Sequence, residues 1–225
     1  MKFLLFLGSV RESTPPRPAR LGYRVALACE QYLRMAYPDI EIELIDPLDP
    51  AVKPVFEQAV FKPQFSYAQG KAPVGLEQLA QKISLADGYV MISPEYNHSL
   101  SPALAHLLNH FGSSRFAFKP SAIVTYSAGQ WGGMRAGVGM RTFLAELGCL
   151  PVSAMVHLPH AQNVFDEQGQ FLPSVDVTAW QGYFGRTFSQ LVWWATATKN
   201  HRQNVNPNDI VPPFVTNPSE RNAPN

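Results

Sequence analysis

The sequence predicts an α/β domain: a doubly wound, five-stranded parallel sheet in the order 2-1-3-4-5 with helices on both faces. Three observations predict it. Short continuous apolar runs, such as KFLLFL (Lys2–Leu7), GYVMIS (88–93) and SAIVTYS (121–127), suit strands buried on both faces of a parallel sheet. Segments with apolar residues at helical spacing separate them. Strand and helix alternate five times, with no internal repeat and no linker long enough to divide the core. Residues 1–200 are therefore expected to form one domain, and residues 201–225 a Pro/Asn-rich C-terminal tail.

Each element has its own warrant. Gly8 closes the first strand. Over 21–37 the apolar positions Leu21, Val25, Ala28, Cys29, Tyr32, Leu33 and Ala36 keep helical spacing until Pro38 stops it. IEIELID (40–46) alternates and reads as a second strand nearer an edge. Residues 47–72 are rich in proline and aromatics and have no clear period. They form a long excursion, with one helical turn expected around 56–61, and excursions of this length often line a site. A helix over 76–85 aligns Leu76, Leu79 and Ile83, and the third strand, 88–93, follows. Over 101–111 a helix starts with Ser101 at its N-cap and Pro102 at its first position. The fourth strand, 121–127, precedes a helix over 133–147 that Gly148 ends, and LPVSAMVHL (150–158) is the fifth strand. The last helix, 177–198, carries Trp180, Phe184, Phe188, Leu191 and Trp194. Five strands favour the flavodoxin-like order over the six-stranded dinucleotide fold, and right-handed crossovers leave few other topologies.

Composition narrows the function. Apolar residues make up 46 % and charged residues 16 %, so a sizeable core is available. A net charge of +1 lacks the basic footprint of a nucleic-acid binder. No window approaches the roughly 20 apolar residues of a membrane span, and the apolar run in MKFLLFLGSV is too short for a signal peptide. Cys29 and Cys149 stand far apart in apolar helical contexts and read as buried free thiols of a reducing compartment. A cytoplasmic protein is expected, with neither nucleic acid nor membrane as partner.

In an open parallel sheet, ligands bind beyond the carboxyl ends of the strands, where strand order reverses. For this order the informative loops follow strands one, three and four. The first, GSVRESTPPRPARLG (8–22), offers Ser9, the forked donors of Arg11, Arg17 and Arg20, and the N-terminus of the next helix. Together these suit an anion, most simply a phosphate. No G-x-x-x-x-G-K-[ST] loop and no G-x-G-x-x-G fingerprint occurs, which disfavours a nucleoside triphosphate or a dinucleotide bound in the usual way. The second loop, PEYN (94–97), combines Pro94, Glu95, the flat ring of Tyr96 and the donor and acceptor of Asn97. The third, SAGQWGGMRAG (127–137), carries Gly129, Gly132 and Gly133 for close backbone approach and Trp131 for stacking. Thr125 stands where a G-x-S-x-G nucleophile elbow needs glycine, so a serine hydrolase is disfavoured. Three such loops on one edge suggest one ligand, with a phosphate at one end and a flat, hydrogen-bonding ring at the other.

The histidines offer a competing reading. His106 and His110 have the i, i+4 spacing of a helical metal pair, with His98, His157 or His160 as further candidates. HLLNH lacks the Glu of H-E-x-x-H. The apolar stripe of Leu104, Leu107, Leu108 and Phe111 also turns the pair away, toward solvent or a partner subunit. No metal is expected.

GSVR with RLGYRVA, SPEYNHSLSPALAHLLNHF and YSAGQWGGMRA together resemble the NADPH-dependent FMN reductase family of flavodoxin-like proteins. The resemblance spans roughly residues 2–156, with a weaker echo in NVFDEQGQF (163–171). It implies a tightly but non-covalently held FMN, with NADPH (or NADH) as hydride donor. By the same resemblance Ser9 and Arg11, joined by Arg20, would hold the phosphate. Pro94, Glu95, Tyr96 and Asn97 would contact the ribityl chain and ring. Ser127, Ala128, Gly129, Gln130, Trp131, Gly132 and Gly133 would run along the isoalloxazine. The segment from Arg11 to Arg20 is longer than the family's compact loop, which leaves open whether Arg17 or Arg20 reaches the phosphate. The redox chemistry belongs to the cofactor, so no catalytic side chain is expected. Backbone N–H groups would stabilise the charge that reduction places on the flavin. The implied reaction is a ping-pong hydride transfer from NADPH through FMN to a flat acceptor such as a quinone, flavin or azo compound. A homodimer or homotetramer is implied as well. A flavin-binding electron carrier or sensor without nicotinamide turnover is the alternative. Arginines in the loop and a near-neutral charge favour the reductase.

Overall fold

The computed structural model describes residues 1–13, 18–58 and 60–210. Its centre is β1 (Lys2–Leu7), hydrogen-bonded in parallel to β2 (Glu41–Ile45) on one side and β3 (Gly88–Pro94) on the other. β4 (Pro120–Tyr126) follows β3, and β5 (Leu150–Pro151) completes the order 2-1-3-4-5. A sixth short strand, β6 (Val156–Leu158), also pairs with β4.

The predicted fifth strand is thus broken in two. The register runs from Ser121↔Pro151 to Val124↔Val156, so three steps along β4 face five along its partner. The surplus sits around Val152–Met155 and acts as a bulge, which bends the strand and re-aims the residues after it. Val156 and Leu158 are buried, while His157 between them is partly buried, with its Nδ1 2.7 Å from Thr125 Oγ1 on β4.

Strand alternation sorts β1 between two apolar layers. Phe3, Leu5 and Leu7 pack under α1 (Leu21–Ala36) and α6 (Val177–Asn204). Leu4 and Phe6 pack on the other face, under α2 (Val74–Leu85), α3 (Pro102–Asn109), α4 (Ser113–Phe116) and α5 (Met134–Glu146). All five are fully buried, and each such side chain stabilises the fold by about 1.5–3 kcal/mol. α6 runs beyond the predicted end at 198, and a short α7 (Pro207–Ile210) follows it; α4 and α7 carry no period the sequence reveals. Residues 211–225 of the expected tail lie outside the described residues.

The long excursion differs from its expectation. Its single turns fall at Lys53–Val55 and Gln64–Ser66, not around 56–61. Pro54 and Pro63 fix the backbone where each turn begins. Val52 and Val55 anchor the excursion in the α2–α5 layer, and Phe56 and Phe61 then lie over α3.

That placement corrects the reading of the histidine pair. His110 is fully buried, and its carbonyl accepts the Gln64 amide at 2.8 Å. Phe56 stacks on His106 at 5.2 Å, and Phe61 meets His110 at 4.7 Å. The pair packs under the excursion and is not turned to open solvent. The two Nε2 atoms lie 3.2 Å apart. Burial, then the charge of His106, lowers the His110 pKa to about 4.

Candidate functional site

The first loop leaves β1 under tight constraint. The Gly8 amide donates to the Ile92 carbonyl of β3 at 2.7 Å. Ser101 Oγ donates to the Gly8 carbonyl and, as N-cap of α3, accepts the Leu104 amide at 3.0 Å. A Cβ at Gly8 would meet Ser101 Oγ at 2.7 Å and the Ile92 carbonyl at 3.0 Å, so only glycine fits this crossing of β1, β3 and α3. Gly22, in the first turn of α1, is equally pinned: a Cβ there would lie 2.2 Å from the Tyr126 hydroxyl. That hydroxyl is hydrogen-bonded to Ser9, and burial raises its pKa. Tyr126 therefore ties β4 to the first loop and the N-terminus of α1.

Within this loop Ser9 is nearly buried and Arg11 is exposed. Arg20 is buried and ion-paired with Asp46, just beyond β2. It also reaches the Arg11 carbonyl at 3.5 Å and lies 5.6 Å over the Tyr23 ring. Its Nε has no hydrogen-bond partner among the described residues. The Arg20 amide donates to Ser13 Oγ at 2.9 Å, which closes the loop against α1. Arg17 lies outside the described residues.

The second loop is a tight hairpin. Tyr96 and Ser99 exchange backbone hydrogen bonds of 3.0 and 2.9 Å around Asn97 and His98, whose φ angles are 49° and 63°. Two positive φ values in sequence are what a two-residue turn of this hand requires. The turn leaves Tyr96, Asn97 and His98 exposed at the rim. Glu95 points the other way. Its carboxylate accepts the amides of Arg135 (3.1 Å) and Ala136 (3.3 Å) and pairs with the Arg135 guanidinium at 3.5 Å. It caps the N-terminus of α5, where a negative charge also meets the helix dipole.

The third loop is stapled from within and from below. Ser127 Oγ donates to the Gly129 carbonyl (2.8 Å) and accepts the Gly132 amide (3.0 Å). The Ser127 amide donates to the Leu158 carbonyl, and its carbonyl accepts the Ala161 amide, each at 3.1 Å. His160 Nδ1 and Gln162 Nε2 both lie 3.1 Å from the Ala128 carbonyl. Gly132 and Gly133 have φ of 58° and 76°, and a Cβ on either would come within 2.9 Å of the chain beneath. The amides of Gly129, Gln130, Trp131 and Gly133 have no hydrogen-bond partner among the described residues. Trp131 is half exposed, with the Arg135 guanidinium 5.1 Å from its ring.

A cleft of about 610 Å³ joins the first and third loops, lined among others by Arg11, Arg20, Arg24, Ala128 and Gln162. Reasoning from the sequence missed Asp46, Tyr126 and Gln162, and weighed His160 only as a metal ligand. Asp46 could have been found, because β2 neighbours β1 and its end must abut the loop after Leu7. His160 and Gln162 follow the strand break and have no signal of their own. Among the described residues no three His, Cys, Asp or Glu side chains converge on a metal position.

The fold is that of flavodoxin-like proteins. FerB of Paracoccus denitrificans, a flavoenzyme NAD(P)H:(acceptor) oxidoreductase, superposes with a TM-score of 0.65 at 17 % identity over 87 % of this chain and 97 % of its own. Residues 1–163 match the NADPH-dependent FMN reductase family, and the chain belongs to that family. An NAD(P)H-dependent FMN reductase of Pseudomonas aeruginosa is 31 % identical over 157 residues, 68 % of this chain and 80 % of the relative. A quinone reductase of Escherichia coli is 36 % identical over 81 residues, 35 % of this chain and 43 % of the relative. The protein is accordingly an oxidoreductase whose family uses FMN and NAD(P)H. No helix among the described residues is long and apolar enough to cross a membrane.

Proposed function

We propose that the protein passes hydride from NADPH, through FMN held on the three loops, to a flat acceptor such as a quinone, flavin or azo compound. The observation that carries this reading is the set of unpartnered amides at Gly129, Gln130, Trp131 and Gly133 in a loop stapled from behind. Donors held in fixed directions on an exposed loop are available to a polar, acceptor-rich ligand in place of water. A cleft of about 610 Å³ falls within the size range of small-molecule sites.

The residues fit an FMN. Ser9 and Arg11 would bind its phosphate, with the N-terminus of α1 adding a favourable dipole. Arg20, neutralised by Asp46, acts mainly as the brace of the Arg11 segment, and its Nε–H is among the donors it retains for the ligand. Pro94, Tyr96 and Asn97 form one wall, and Glu95 joins that wall to α5. Ser127 and Ala128 shape the opposite wall, and Gly129 to Gly133 present amides. Bound FMN supplies two-electron hydride chemistry, alternating between nicotinamide and acceptor in a ping-pong cycle. The amides of Gly129, Gln130, Trp131 and Gly133 would offer donors to negative charge on a bound ring, as an oxyanion hole does. No side-chain acid or base is assigned.

The open rim formed by Tyr96, His98 and Trp131 supports a broad choice of flat acceptors. Initial rates at several fixed quinone concentrations test the cycle. Parallel double-reciprocal lines are expected, and intersecting lines would replace ping-pong with a ternary complex. The two buried thiols support a reducing, cytoplasmic setting. A single domain forming a homodimer or homotetramer completes the proposal, and sedimentation equilibrium giving a monomer mass would remove the oligomer.

A further inference from the structure

The Gly132–Gly133 peptide is the part of the third loop most able to turn over. Both residues are glycines with positive φ, and glycine occupies either sign of φ at little cost. Something outside the loop has to choose its orientation. Thr125, fully buried on β4, lies beneath it: its Oγ1 is 2.7 Å from the Gly132 carbonyl and 2.7 Å from His157 Nδ1.

A hydroxyl has a single hydrogen, and a carbonyl oxygen only accepts. For both contacts to be hydrogen bonds, Thr125 donates to Gly132 and accepts from an N–H on His157 Nδ1. The imidazole tautomer therefore sets the direction of the threonine proton. With the hydrogen on Nε2 instead, Thr125 would have to choose between the ring and the carbonyl. His157 is in turn placed by sheet register, opposite Thr125, with its own amide on the Tyr183 hydroxyl at 2.9 Å. Burial, then the guanidinium groups of Arg186 and Arg141, keeps its pKa below the ordinary imidazole range, so near neutral pH one ring N–H is present.

In a trans peptide the C=O and N–H point in opposite directions. A Gly132 carbonyl held down on Thr125 turns the Gly133 N–H away from the sheet, and that amide has no partner among the described residues. We propose that Thr125 and His157 are a positioning pair that locks the Gly132–Gly133 peptide with its N–H outward, toward the flavin ring. The pair touches neither cofactor nor substrate; it acts through the peptide. The proposal rests on the flavin site described above.

Two measurements test it. In protein with ¹⁵N-labelled histidine and no flavin, NMR is expected to show His157 protonated on Nδ1 at pH above its titration. The Nε2–H tautomer would overturn the lock, whether or not flavin binds. Quenching of free FMN fluorescence then gives dissociation constants for Thr125→Val and Thr125→Ser. Valine is expected to weaken binding roughly tenfold and make the bound flavin's midpoint potential more negative, whereas serine stays within about threefold of the unaltered protein. A valine variant with unchanged affinity and potential overturns the proposal, because valine keeps the volume of threonine and removes only the hydroxyl, whereas serine keeps the hydroxyl and loses the methyl. Should the valine variant not fold, His157→Asn, whose amide N–H takes the place of Nδ1–H, is compared with His157→Leu. Only leucine is expected to lose affinity, and equal affinities would count against the pair. An unaltered protein that binds no FMN sinks the functional reading instead, and the tautomer still decides the lock.

Discussion

Arg11 and Arg20 show what a residue type reveals and what it conceals. Both read as phosphate ligands from the loop alone, yet they occupy opposite environments: Arg11 is exposed, and Arg20 is buried against Asp46. A guanidinium paired to a carboxylate has little charge left for a phosphate, and its partner lies 26 residues further on, just past a strand that only the sheet order brings near. The basic character of the loop was legible; the burial of Arg20 against Asp46 was not. Arg11→Ala is expected to weaken FMN retention through loss of a charge-assisted bond worth about 1.5–3 kcal/mol. Flavin content of the purified variant checks this, and full occupancy would remove Arg11 from the phosphate site. Glu95 is a similar lesson. Its place in PEYN suggests a ligand contact, and its carboxylate also accepts the amides of Arg135 and Ala136, a helix-capping role that the motif did not reveal.

At the scale of elements, α3 was the best-read helix and the most misread surface. Ser101 caps it and Pro102 starts it, as the sequence indicates. Its apolar stripe does face the sheet. The opposite face is covered too, because the excursion between β2 and α2 folds back over it. That excursion has no period, so neither its two turns nor its docking on the histidines could be read. Ser101→Ala should lower stability by about 1–2 kcal/mol, since it removes the N-cap and leaves the Gly8 carbonyl without its donor. A shift of the urea midpoint at constant slope would show it, and an unchanged midpoint would mean that water replaces the hydroxyl. The histidine pair makes stability depend on pH. The folded state holds the His110 pKa at about 4 against 6.5 when unperturbed. The unfolded chain thus binds the proton more readily, and stability falls as pH drops from 6.5 toward 4. The loss should be on the order of 2 kcal/mol. Urea unfolding at pH 7 and pH 4.5 measures it against His110→Leu, which should lack that part of the drop. An equal drop in the variant would assign the acid sensitivity elsewhere.

For the molecule as a whole, strand–helix alternation decided the topology, because a parallel sheet with right-handed crossovers leaves few arrangements. The order 2-1-3-4-5 then puts the ends of β1, β3 and β4 side by side, which is why three separate motifs converge on one edge. The fourth contributor, the turn after β6, escaped notice because the bulge at Val152–Met155 shifts it into place, and a bulge has no residue pattern in this segment. His160 and Gln162 reach Ala128 only through that shift. The central claim concerns the assembled edge: it holds FMN where a nicotinamide can reduce it. Purified protein loaded with FMN and mixed with NADPH in the absence of oxygen tests this directly. The flavin absorbance near 450 nm (an approximate band position) should bleach and return on adding a quinone. A band that persists under excess NADPH and excess NADH would contradict the claim.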